Sequence, residues 1–326
     1  MKPTRVQEVI QNVIGTNWPL FIWGPPGVGK STIVQNIAKK NEMDLIDIRA
    51  SLLDPTDLRG IPTVENGQAK WCPPTFLPHE PNSKGILFFD ELNAAPALVQ
   101  ASLYQLTLDR RIGEYQLPRG WKIIAAGNRA TDRAVVFRMP SALINRFVHL
   151  DYEADFDDWR NWAIRKKINP LVVGFLSTRS ELLFKMDNPD KPFPTPRSWE
   201  MVSDVLNCFK NLDDFRDVVL GIIGEGAALE FLGYCESSIS AELIEEIILD
   251  PEKSTLPKKL GDQYALISYI AYKIEKQNVS KAAEIIINRL KPELGVLLLR
   301  NCLQAHPKFA SRKGVREFTA NHKSLL

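Results

Sequence analysis

Near the start of the chain, Gly24-Pro25-Pro26-Gly27-Val28-Gly29-Lys30-Ser31 fits G-x-x-x-x-G-K-[ST] at every fixed position, with Thr32 following. Phosphate chemistry needs backbone N–H groups turned into one concavity, so side chains there must be small or absent. Gly27 and Gly29 permit the required backbone angles and the close approach. Lys30 is then placed to reach β- and γ-phosphates, and Ser31 to offer its hydroxyl to Mg²⁺. A helix starting near Lys30 would aim its positive end at the same anion. The segment reads as an ATP site with Mg²⁺.

Further along, Ile86-Leu87-Phe88-Phe89-Asp90-Glu91 is an apolar run ending in two acids. A buried strand that ends this way sets its carboxylates at the edge where open α/β sheets bind ligands. Asp90 suits Mg²⁺, and Glu91 suits the base that polarises an attacking water. Asn128 follows the run WKIIAAG, and could orient that water, although alone it would equally suit a turn. Arg146 falls where a helix should end before a last strand, facing outward toward a neighbouring subunit. A helix C-terminal cation would also explain it. Arg197, in Thr195-Pro196-Arg197-Ser198-Trp199, sits near a helix start, where a cation is unfavourable unless a phosphate offsets it.

The elements that must position these residues alternate. Strands are predicted at Pro19 to Trp23, Asp44 to Ile48, Gly85 to Phe89, Trp121 to Ala126 and Phe147 to Leu150. Helices are predicted at Ser31 to Lys40 and Ala95 to Leu108, the second opening after Asn93 with Pro96 in its first turn. That order implies a parallel α/β sheet. The segment 54–81 has six prolines in 28 residues and carries Glu65-Asn66-Gly67 between extended runs, a hairpin signal. A second hairpin-like stretch, about 110–121, has Pro118 and Gly120 as turn residues. After residue 150 the pattern is helical, as at Leu243, Ile244, Ile247, Ile248 and Leu266, Ile270, Ile274. The expected divisions are an α/β domain at 1–152, a helical lid at 153–235 and a helical extension at 236–326.

Composition adds exclusions. The 326 residues are 44% hydrophobic and 25% charged, with 41 Lys and Arg against 39 Asp and Glu, giving a formal charge of +2. A nucleic-acid partner is therefore not expected. The longest apolar stretch, Val218 to Tyr234, is broken by Glu225 and Glu230, so no membrane span is expected. Cys72, Cys208, Cys235 and Cys302 form no CxxC pair, which points away from zinc and disulfides and toward a reducing, cytoplasmic setting. Trp159 and Trp162 read as buried helix residues, and Lys308, Arg312, Lys313 and Arg316 as a solvated tail. Trp71 and Phe76 suit subunit packing and substrate grip equally.

Together these motifs resemble the AAA+ ATPases, specifically the MoxR-like branch, over about residues 5–235. GPPGVGKS is similar to Walker A, ILFFDE to Walker B, AAGN to sensor 1, INRF to the arginine-finger box and TPRSW to the sensor 2 box. The resemblance implies catalytic roles for Glu91, Asn128, Arg146 and Arg197, and metal roles for Ser31 and Asp90. It makes the proline-rich stretch a helix-2 insert and the second hairpin a pre-sensor-1 hairpin, both lining the pore of a hexameric ring. It further implies a partner with a von Willebrand factor A domain and a remodelling or activating role, and leaves Arg129, Arg133 and Arg138 as interface candidates. A nucleic-acid motor and a nucleotide-gated scaffold remain as alternatives.

Overall fold

Central strands of a parallel sheet are covered on both faces, so their sequences run apolar without alternation. Phe21 and Ile22, and Ile86 through Phe89, are buried on that account. The computed structural model describes residues 1–132, 137–209 and 212–323, and the chain divides into two units, Met1–Ala154 and Asp155–Leu326.

In the first unit the strands are β1 (Leu20–Trp23), β2 (Asp44–Arg49), β3 (Ile61–Glu65), β4 (Gln68–Cys72) and β5 (Lys84–Asp90). They are followed by β6 (Arg111–Ile112), β7 (Tyr115–Gln116), β8 (Gly120–Gly127) and β9 (Val148–Asp151). The main sheet has the order β2-β5-β8-β1-β9, and every neighbouring pair is parallel. The expected α/β class and its five strands are present. Around the sheet stand α1 (Pro3–Val13), α2 (Lys30–Lys40), α3 (Pro55–Arg59), α4 (Ala97–Asp109) and α5 (Ser141–Ile144). Pro96 is the N-cap of α4 rather than a first-turn residue, and Asn93 lies earlier, in a short 3-10 turn at Leu92–Ala94.

Two hairpins leave this sheet. The first pairs β3 with β4, with Glu65 opposite Gln68, and turns through Asn66 and Gly67. Both have positive φ, 53° and 76°, as a two-residue type I′ turn requires. Its side chains include the exposed apolar residues Ile61, Val64 and Trp71, whereas Phe76 packs on the core.

The second pairs β6 with β7. It closes at Gly113 and Glu114, with Gly113 at φ 55°, so its turn is not made by Pro118 and Gly120. Those two form a separate reverse turn, in which Trp121 N–H donates to Pro118 O, leading into β8. Ile112, Tyr115 and Leu117 alternate into the core beside Leu106 and Trp121. These three side chains are therefore buried within their own unit. Within 110–121 the exposed residues are Arg111, Gly113, Glu114, Gln116 and Arg119.

Among its described residues the second unit has helices and no strand. It contains α6 (Phe156–Arg165), α7 (Pro170–Thr178), α8 (Pro196–Leu206), α9 (Leu212–Ile223) and α10 (Glu225–Ser237). Then come α11 (Ala241–Leu249), α12 (Leu260–Lys273), α13 (Gln277–Ile286), α14 (Pro292–Ala305) and α15 (Lys313–Asn321). Helices α7 and α8 start on side-chain caps, Asn169 and Thr195, each followed by a proline whose missing N–H costs nothing there. The expected lid and extension both fall within this unit. A Cβ on Gly174 of α7 would lie 2.5 Å from Tyr234 Oη and 3.4 Å from Ala265 Cα, so helices on both sides of residue 235 pack together. Trp199, Phe175 and Phe231 share one aromatic cluster, with centroid distances of 5.3–5.5 Å. Trp159 is buried, and Leu243 is the one member of the apolar pattern at 243–248 that stays exposed.

Candidate active site

Register brings the C-terminal ends of the strands level: Trp23 pairs with Gly127 and with Asp151, and Arg49 with Asp90. The glycine loop, Glu91 and Asn128 follow these ends, whereas Arg146 lies between α5 and β9.

The loop after β1 is tightly fixed. Gly24 N–H donates to Gly127 O, and a Cβ on Gly24 would lie 2.7 Å from Tyr152 O. Tyr152 Oη donates to Val28 O at 3.1 Å. Gly27 and Gly29 have φ of 75° and 104°, left-handed values that only glycine adopts freely. Gly29 is the N-cap of α2 and offers no side chain to cap it, so the first-turn N–H groups lie open to an anion. Val28 is buried and can contribute to the loop only through its backbone, and Thr32 is exposed.

Lys30 is 9% exposed, and its ammonium donates to Gly24 O, Pro25 O and Asn128 Oδ1 at 2.6, 2.9 and 2.8 Å. Ser31 Oγ donates to Asp90 Oδ2 at 2.8 Å. Asp90 is itself buried, and its second oxygen accepts from Glu91 N–H. The glycine loop, the acidic strand end and Asn128 thus converge. Their donors and acceptors suit a triphosphate and a hard cation, because an uncapped helix start and an ammonium face two oxygens that can ligate a metal.

Glu91 has φ 57°, a left-handed value that costs a residue with a Cβ about 1 kcal/mol or more. Ser51 Oγ donates to its Oε2 at 2.7 Å, and Arg49 Nη1 lies 3.5 Å from Glu91 Oε1 and from Asp90 Oδ2. Arg49 and Ser51 were not found from the sequence. Their place depends on β2 lying beside β5, and only the cation ending the apolar run DLIDIR hints at it. Partial burial, with Asp90 nearby, raises the Asp47 carboxyl above its ordinary value, and Arg49 partly offsets this. Asn93 is a third residue that was missed, buried between Glu91 and the end of β8.

The arginines behave differently from one another. Arg146 is half-buried, with Nη2 donating to Tyr104 Oη at 2.9 Å and its guanidinium 4.9 Å above the Tyr104 ring. Its guanidinium therefore rests on Tyr104 of α4. Arg129 is paired with Asp151, Arg138 is exposed, and Arg133 lies outside the described residues. Arg197 is exposed in the first turn of α8, in the second unit, where the Thr195–Ser198 capping box satisfies the helix start.

Residues 19–147 match the family model described as AAA domain, dynein-related subfamily. No curated protein matches the chain. Among solved structures, the RuvB Holliday junction branch migration motor of Thermotoga maritima is 16% identical. That match covers 82% of this chain and 79% of RuvB, with a TM-score of 0.36. NtrX of Brucella abortus, solved in complex with ATP, is 16% identical over 99% of this chain and 67% of its own, with a TM-score of 0.41. The matched residues 19–147 hold the glycine loop, the Asp90–Glu91 strand end, Asn128 and Arg146, on a parallel P-loop sheet. Residues 19–147 are thus an AAA-type domain on a parallel P-loop sheet, the nucleotide-binding part of the chain.

Proposed function

We propose that this chain is a MoxR-like AAA+ ATPase, a ring-forming chaperone that hydrolyses Mg-ATP to remodel or activate a protein partner. The observation that supports it most is the pairing of Ser31 with Asp90 beside that of Lys30 with Asn128, both at 2.8 Å. In this reading the loop 24–31 and Lys30 hold the phosphates, and Ser31 and Asp90 hold Mg²⁺. The ion supplies positive charge at the phosphate oxygens. Glu91 takes a proton from the attacking water, and Asn128 orients that water. Arg146 serves a neighbouring subunit's ATP, and Arg197 is a further cation for the phosphates. The exposed Val64 and Trp71 on the β3–β4 hairpin, with a formal charge of only +2, favour a protein partner over nucleic acid. A hexameric ring, a partner with a von Willebrand factor A domain and a cytoplasmic location belong to the same proposal.

The test is Glu91→Gln, which should keep Mg-ATP affinity while lowering turnover by about 10²–10⁴-fold. Wild-type turnover in that variant removes Glu91 from the mechanism. Wild-type turnover raised by DNA or RNA, with steep salt dependence, would move the reading to a nucleic-acid motor. Slow turnover insensitive to both protein and nucleic acid would move it to a nucleotide-gated scaffold.

A further inference from the structure

Asn93 follows the catalytic candidates by two positions, in the short turn after β5, and is 4% exposed. Its Nδ2 donates to the backbone oxygen of Asn128 at 2.6 Å. Its Oδ1 is buried without a hydrogen-bond partner. The orientation of the amide is fixed by this contact, because exchanging N and O would set two acceptors 2.6 Å apart. Gly127 leaves room for it: a Cβ there would lie 2.3 Å from Asn93 Oδ1. The Asn93 backbone is held as well, its carbonyl accepting from Phe137 N–H at 2.7 Å.

A buried amide with one oxygen unpaired is less stable than a well-packed apolar side chain, so such a group calls for an explanation. Asn128 supplies one. Its backbone oxygen is tied to Asn93, and its side-chain oxygen accepts from Lys30 at 2.8 Å. The effect of Asn93 on Lys30 therefore passes through Asn128. Freeing the carbonyl would let the Asn128–Arg129 peptide rotate and carry the Asn128 amide off Lys30.

We propose that Asn93 is the positioning residue for Asn128, holding the backbone at the end of β8 so that the Asn128 side chain meets Lys30. The proposal rests on reading this sheet edge as an ATP-hydrolysing site. It predicts a specific pattern in a double-mutant cycle of wild type, Asn93→Ala, Asn128→Ala and the double variant, measured as steady-state ATP hydrolysis. Asn93→Ala should lower kcat about tenfold to a hundredfold, as loss of an outer contact to a functional group does. KM for ATP should stay within about threefold, since phosphate binding is left intact. The double variant should be no slower than Asn128→Ala alone, because the two changes act on one contact.

An equal further loss in the double variant would overturn the proposal, as would an unchanged kcat or a loss confined to KM. Asn93→Asp, close to isosteric but unable to donate when ionised, should repeat the fall in kcat if Asn93→Ala does not fold. Misfolding of both would make Asn93 a structural brace and overturn the positioning role. If the wild type shows no turnover that Lys30→Ala abolishes, the ATP reading falls and this proposal with it. If Lys30-dependent turnover is present but the cycle is additive, only the role of Asn93 falls.

Discussion

Removing one hydroxyl should make this ATPase faster. Ser51 follows β2, which borders β5 on the side away from β8 and β1. Its hydrogen bond to Glu91 Oε2 at 2.7 Å therefore draws the carboxylate toward the sheet edge and away from the glycine loop after β1. A shielded hydrogen bond to an ionised carboxylate contributes about 1.5–3 kcal/mol. The Glu91 side chain is 42% exposed, so water competes for it, and about 1 kcal/mol is the better figure. Loss of that restraint multiplies the population of released Glu91 by about fivefold, since 1.36 kcal/mol corresponds to tenfold. Ser51→Ala should raise basal phosphate release by that factor, measured with a coupled phosphate assay at saturating Mg-ATP. Ser51→Thr keeps the hydroxyl and should behave as wild type. A slower or unchanged Ser51→Ala enzyme would show instead that the contact holds Glu91 in its working position or does nothing.

Arg146→Ala should keep ATP binding and lose hydrolysis by about 10³–10⁵-fold, the contribution of an inserted arginine. Mixed with Lys30→Ala, it should regain part of that activity in rings confirmed by tag pull-down. Verified mixed rings with no turnover would count against action in trans. Cysteine reactivity gives an independent check on the packing. Cys72 and Cys208 are exposed, whereas burial pushes the Cys235 thiol up to about 12 and Cys302 is fully enclosed. Because the thiolate is the reactive form, a disulfide reagent at pH 8 should titrate only Cys72 and Cys208 rapidly in the native protein. Rapid reaction of Cys235 and Cys302 as well would show that the second unit is not packed as described.

Much of the first unit was legible because its signals are local. The apolar runs before Gly24, Glu91 and Asn128 each announce a buried strand, and Asn66-Gly67 announces its own turn through two positive φ values. What the sequence could not disclose depends on which strands are neighbours. Arg49 and Ser51 reach Asp90 and Glu91 only because β2 lies beside β5, and Asn93 reaches Asn128 only because β5 lies beside β8. The second hairpin misled for another reason. Pro118 and Gly120 are stronger turn residues than Gly113 and Glu114, yet they serve the entry to β8, and alternation then turns Ile112, Tyr115 and Leu117 inward. Nothing in the segment around Arg146 shows that Tyr104 of α4 lies under it. That Gly174 of α7 meets both Tyr234 and Ala265 was not legible either, since helical periodicity says which face is buried but not against which helix.

In the proposed mechanism the loop 24–31, with Lys30 as its side-chain cation, binds the ATP that Glu91 and Asp90 act upon. The most direct measurement is titration of wild type and Lys30→Ala with a fluorescent ATP analogue in Mg²⁺, with phosphate release followed on the same samples. Wild type should bind and hydrolyse, and Lys30→Ala should show neither, while melting as cooperatively as wild type. Undiminished binding and turnover in a folded Lys30→Ala protein would contradict the assignment of this loop as the phosphate site.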